Sequence, residues 1–94
     1  MYSTWLAWLA TEKRYGDNTL DAYARDLDDF SAFAATTPAA SSMIDRQIFR
    51  GWLANMAARQ LARTTIARRV SSLRGFYRFC GRRQLLDVPD LSWL

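Results

Sequence analysis

Ninety-four residues, half of them apolar and four of them tryptophan, bound the chain to one small domain with a core of its own. No histidine, a single cysteine and four unclustered glycines exclude the usual general base and zinc sets, an intrachain disulfide and glycine-rich phosphate loops. The net charge of +4 divides into −4 over residues 1–45, +10 over Arg46 to Arg83 and −2 over the last eleven residues. A block of ten arginines without one acid repels itself, and a polyanion, nucleic acid first, is the expected partner.

Helical periodicity runs through the chain, and no stretch alternates as a strand would. A first helix is expected from Ser3 to Arg14, burying Trp5, Leu6, Trp8 and Leu9, with Gly16 as its stop. Its apolar run, Trp5 to Ala10, is too short to span a membrane and has no basic stretch before it. With Cys80 as a core filler on an apolar helix face, a reducing, cytoplasmic setting is expected.

Asp17 or Asn18 is expected to cap a second helix, which lines Leu20, Tyr23, Leu27, Phe30 and Ala34 on one stripe. Its other face, with Asp21, Arg25, Asp28 and Asp29, reads as solvated. Thr36 to Ser42, around Pro38, is the longest irregular connection. Asp45 reads as the cap of a third helix, with Ile44 stapled to Phe49, and Ile48, Phe49, Trp52, Leu53 and Met56 buried. After a break at Gln60 to Arg63, a fourth helix runs from about Thr64 to Arg82. Residues 1–87 make the domain, and residues 88–94, with Pro89, begin a linker.

On the fourth helix Ile66, Val70, Leu73, Tyr77 and Cys80 fall in one sector at 100° per residue. Opposite them lie Arg68, Ser71, Ser72, Gly75, Arg78 and Arg82. Arginine forks suit phosphate oxygens or the guanine edge, hydroxyls reach phosphates, and Gly75 leaves room for a close approach. Thr64 and Thr65 stand where free amides and the helix dipole favour an anion. The bland alternative is a solvated face, but such a face normally mixes signs along the helix. Phe79, pointing toward the polar sector, is a candidate for base stacking or for covering a neighbouring helix or protomer.

Two segments carry a resemblance. Asn18-Thr19-Leu20-Asp21-Ala22-Tyr23-Ala24-Arg25-Asp26-Leu27-Asp28-Asp29-Phe30 resembles the N-T-x-x-x-Y-x-x-D-L-x-x-F segment of tyrosine recombinases. Arg63 to Phe79, R-T-T-I-A-R-R-V-S-S-L-R-G-F-Y-R-F, is similar to their fourth helix, XerC-like members above all. The resemblance implies an all-α, four-helix orthogonal bundle with a SAM-like fold, the core-binding half of a DNA clamp. In that family the second and fourth helices face the major groove, and a separate catalytic domain, expected to be absent here, carries the nucleophilic tyrosine. The family's Gly-Leu-Ser turn before the fourth helix reads Gln60-Leu61-Ala62 here, so Thr64 is expected to cap one register later. Its Asn-Pro after that helix reads Val88-Pro89.

The expected interface is Arg63, Thr64, Thr65, Arg68, Arg69, Ser72 and Arg78 around the fourth helix, with Asn18, Thr19 and Arg25 on the second. Phosphate contact is expected of each, with base reading at Arg68 and Ser72. The expected partners are double-stranded DNA and sister recombinase protomers, with no membrane, small-molecule substrate, cofactor or metal. No catalytic residue is expected in this stretch. The rival reading is a helical interaction module whose basic face docks an acidic protein.

Overall fold

The computed structural model describes residues 2–36 and 46–83. Four helices follow in order: α1 (Tyr2–Glu12), α2 (Asp17–Ala35), α3 (Arg46–Ala58) and α4 (Arg63–Arg82), and the described residues contain no strand. None of these helices is long and apolar enough to cross a membrane. The all-α, four-helix expectation is met. The expected Asp45 cap, the Thr37 to Ser42 part of the connection and the 87/88 boundary lie outside the described residues.

The core explains the order. Leu27 and Phe30 from α2, Ile48, Phe49, Trp52 and Met56 from α3, and Leu73, Phe76, Tyr77 and Cys80 from α4 are buried together. Trp5 and Leu9 add the α1 face. The widest packing is between α2 and α4; α1 leans on both, and α3 leans mainly on α2. Aromatic rings lock the crossings edge to face, with Phe30 on Trp52 at 5.1 Å and Tyr2 on Phe76 at 4.7 Å. The Tyr2 and Ser31 hydroxyls are hydrogen-bonded between α1 and α2. Cys80 is fully buried, and burial pushes its thiol up, as befits a core filler.

The turns depart from expectation in a consistent way. The first helix ends at Glu12, and Arg14, at φ 55°, makes the left-handed turn expected of Gly16. Gly16 has extended backbone and serves as the N-cap of α2, so neither Asp17 nor Asn18 caps it; Asp17 is the first helical residue. Helix α3 closes with paired bonds, Gln60 N–H to Ala57 O at 2.9 Å and Leu61 N–H to Met56 O at 3.2 Å, around Gln60 at φ 61°. That is the Schellman pattern, with glutamine at the position glycine favours. It sets the entry into α4 one residue earlier than expected. Ala62 is the N-cap, Arg63 the first helical residue, and Thr64 caps nothing.

Candidate nucleic-acid interface

The arginine block does not stand unpaired. Asp26 and Asp29, one turn apart on α2, point inward and collect three of its cations together with a serine and an indole. Arg68 donates Nε and Nη2 to the two Asp26 oxygens, at 3.1 and 2.8 Å. The Ser72 hydroxyl donates to Asp26 Oδ2 at 2.8 Å, with the Arg68 carbonyl oxygen as a second acceptor at 3.1 Å. Arg59 sets Nη1 and Nη2 on the two oxygens of Asp29, and the Trp52 indole N–H donates to the same carboxylate at 2.8 Å. Arg69 bridges both acids, 3.0 Å from Asp29 and 3.5 Å from Asp26, as ion pairs without hydrogen-bond alignment.

Burial gives this cluster its weight. Asp26 is 0% exposed, so its charge is tolerable only because two guanidinium groups and a hydroxyl surround it. The Asp26 carboxylate raises the already high pKa of Arg68. Above all, the Arg59 donors hold Asp29 down to about 2 from 3.8, against partial burial and with help from Trp52 and Arg69.

Several expectations fall here. Asp29 does not belong to the solvated face of α2, where only Asp21, Arg25 and Asp28 are exposed. Ser72, expected on the DNA face, is 2% exposed and bonded to Asp26. The reason is the width of the buried arc of α4. Since α1 and α2 both pack on that helix, its buried sector turns toward Phe76 and Phe79, four and seven residues beyond Ser72, while Ile66 and Val70 are only half-buried. Phe79 accordingly covers Trp8 of α1, ring centres 5.2 Å apart, rather than offering a stacking platform. Gly75 leaves room for Trp5: a Cβ there would lie 3.1 Å from its ring, so the close approach is by an indole.

What stays outside is a narrower, cleaner stripe. Arg63, Thr64, Ala67, Ser71, Arg78 and Arg82 are exposed along α4, and Arg63, Arg78 and Arg82 make no ion pair with any described acid. Thr65 is half-buried, and Arg69, at 17% side-chain exposure, is turned inward. On α2, Asn18 and Thr19 are exposed in the first turn; Arg25 is exposed too, on a stripe with Asp21 and Asp28. Ser71 and Arg82, in the expected polar sector of α4 but outside the expected interface, are exposed beside Arg78, and Arg83 is exposed just beyond the helix.

Arg68, Arg78, Ser71 and Ser72 meet in a groove of about 500 Å³ between α1, the α1–α2 turn and α4. Trp5, Trp8, Leu9, Tyr15, Tyr23 and Phe79 line it with apolar surface; Arg82 and Arg83 complete its basic wall. Arg83 lies over the Trp8 and Phe79 rings at 5.8 and 5.3 Å, and Lys13 over Trp8 at 5.5 Å. Asn18, Thr19, Arg25, Arg63, Thr64, Thr65 and Arg69 are not in this groove. The arrangement presents cations and a hydroxyl along one helix, flanked by aromatic surface, with no acid among the groove's lining residues.

Comparison with known proteins bears on the same stretch. The profile described as phage integrase, N-terminal SAM-like domain, matches residues 3–84. The chain is 44% identical over 71 residues to tyrosine recombinase XerD of Bradyrhizobium diazoefficiens, covering 76% of this chain and 22% of that protein. It is 35% identical over 89 residues to tyrosine recombinase XerC of Pediococcus pentosaceus, covering 93% of this chain and 30% of the relative. Against XerC of Listeria monocytogenes it is 37% identical over 91 residues, with 93% and 29% covered. The chain thus spans less than a third of the length of these curated relatives. No solved structure matches it significantly.

Proposed function

The chain belongs to the N-terminal SAM-like domain family of phage integrases, and from that premise we propose that it is the core-binding domain of a XerC-like, site-specific tyrosine recombinase. In this reading it holds one face of a double-stranded recombination half-site while a second domain of the parent protein cuts and rejoins the strands. Sister protomers assemble on the same DNA in the cytoplasm, for chromosome dimer resolution or for integration. The reaction passes through a phosphotyrosine and draws on no metal or nucleotide.

One observation carries the reading. After α2 has neutralised Arg59, Arg68 and Arg69, the exposed line of α4 still holds Arg63, Arg78 and Arg82 with Ser71 between them and no acid along the helix. The amides of Arg63, Thr64 and Thr65 begin that line without a side-chain cap, adding the positive end of the helix dipole. Asn18, Thr19 and Arg25 contribute phosphate contacts from α2.

In this reading the domain binds and the second domain of the parent protein reacts. Burial pushes the phenols of Tyr2 and Tyr23 up and that of Tyr77 up to about 12, the wrong direction for a nucleophile at neutral pH. Titration of a duplex at several salt concentrations tests the binding. If about four phosphates are neutralised, log K falls with log salt at a slope near about −4. A flat response, or displacement of nothing but an acidic protein ligand, would move the function to the rival class of protein docking.

A further inference from the structure

The three arginines that α2 neutralises are not equivalent, because a guanidinium has two usable double-donor edges. Arg59 meets Asp29 end-on, through Nη1 and Nη2, which uses up its outer fork. Arg69 is turned inward between the two acids. Arg68 meets Asp26 side-on, through Nε and Nη2. Its end-on edge, Nη1 with the second N–H of Nη2, therefore stays unused, and its side chain is 45% exposed at the groove wall. The carboxylate that holds it is itself fixed, buried among α2 and α4 and tied to the Ser72 hydroxyl.

We infer that Asp26 and Ser72 are positioning residues that present the outer fork of Arg68 as a preset double donor for one guanine edge in the DNA major groove. The inference rests on the duplex-binding reading above and deepens it by assigning different tasks to paired and unpaired arginines.

Electrostatics separates the two tasks. A phosphate attracts net charge and accepts a mobile cation, so Arg63, Arg78 and Arg82, exposed and without an acidic partner among the described residues, suit the backbone. Beside Asp26, Arg68 has lost most of its long-range pull but none of its hydrogen-bond direction. The guanine edge is neutral and offers two acceptors, O6 and N7, at the spacing of a guanidinium fork. A fixed, charge-compensated fork suits that edge and is a weak phosphate clamp. Arg68 also pays less to be ordered on binding, since two bonds already hold its rotamer.

The test uses the 94-residue chain and a pool of 30-base-pair duplexes with randomised centres. Selection should enrich a G·C pair at one position. Exchange of that pair for A·T should weaken binding about tenfold or more. Arg68→Lys, which keeps the charge and loses the fork, should abolish that preference and change the salt slope little. Asp26→Asn should abolish it as well, while binding to unselected duplex tightens and its salt slope steepens by about one, because the Arg68 charge is released. Ser72→Ala should weaken the preference without removing it, and it decides the matter together with Arg68→Lys if Asp26→Asn does not fold. A purely structural Asp26 would lower the melting temperature and leave the G·C preference intact, overturning the inference. Arg68→Ala that flattens the salt slope by one with no change in preference would make Arg68 a phosphate contact and overturn it too. Salt-dependent binding without any base preference also overturns it and leaves the duplex reading standing; no salt-dependent binding sinks both.

Discussion

The two sides of α4 carry the same residue in opposite states. On the inner side Arg68 and Arg69, with Arg59 from the turn before the helix, are compensated by two α2 carboxylates. On the outer side Arg63, Arg78 and Arg82 stand in solvent without a described acidic partner. Arginine count alone therefore misjudges both stability and binding. The inner set is part of what holds α2 to α4, and the outer set leaves the fold nearly indifferent while defining the surface. The difference arises because a buried carboxylate must be matched on the spot, whereas an exposed guanidinium is satisfied by water.

Removing the inner anion is the strongest way to break that contrast. Asp26→Ala should destabilise the domain by about 2–3 kcal/mol in chemical denaturation, since it leaves the buried Ser72 hydroxyl and the inward Arg69 short of an acceptor and breaks the Arg68 tie between α2 and α4. A loss below about 1 kcal/mol would mean that the cluster is ornamental and the two sides alike.

Acid should act on the same side more gently. Asp29 is lowered in the folded state, so its contribution is complete above its unfolded value of 3.8 and is lost as pH falls toward about 2. Stability should be level from pH 7 to about 5 and drop by about 1–2 kcal/mol between pH 4 and 2, the exposed Arg59 partner limiting the size. Asp29→Asn should remove this acid-sensitive portion, which a pH series of thermal melts would show.

The turn that sets the register of the helix offers a smaller, opposite effect. Gln60 bears a left-handed backbone at the closing position of the Schellman turn, so Gln60→Gly should stabilise by up to about 1 kcal/mol. The outer face should respond least. Arg78→Ala should shift stability by no more than about 0.5 kcal/mol, while reducing the salt slope of duplex binding by about one. A clear stability loss at Arg78 would erase the distinction between the sides.

Much of this was legible from local signals. Period-3.6 stripes placed Leu27, Phe30, Trp52, Leu73 and Cys80 inside, and the acid-free stretch from Arg63 onward marked the basic helix. The choice between Ser71 and Ser72 was not legible, because it depends on α1 packing beside α2 and widening the buried arc. Nor were the Asp26 and Asp29 pairs: their cations lie 42 and 30 residues away, and pairing at that range leaves no periodic trace. The left-handed turns at Arg14 and Gln60 were hidden for a related reason, since neither residue is one that such backbone favours. Long-range matching decided what local pattern could not.

The separation between Asp26 and Arg68 also orders events as the chain assembles. Helix α2 is made before α4, and its inward carboxylate has no cation to meet until the basic helix arrives 42 residues later. Desolvating Asp26 before then is strongly unfavourable, so full burial of this part of α2 should await α4. Closing that long loop brings the core contacts and the counter-charges in one step. Half-assembled forms with α4 undocked are thus penalised twice, by exposed aromatic surface and by an uncompensated anion, and the domain should appear only as a whole.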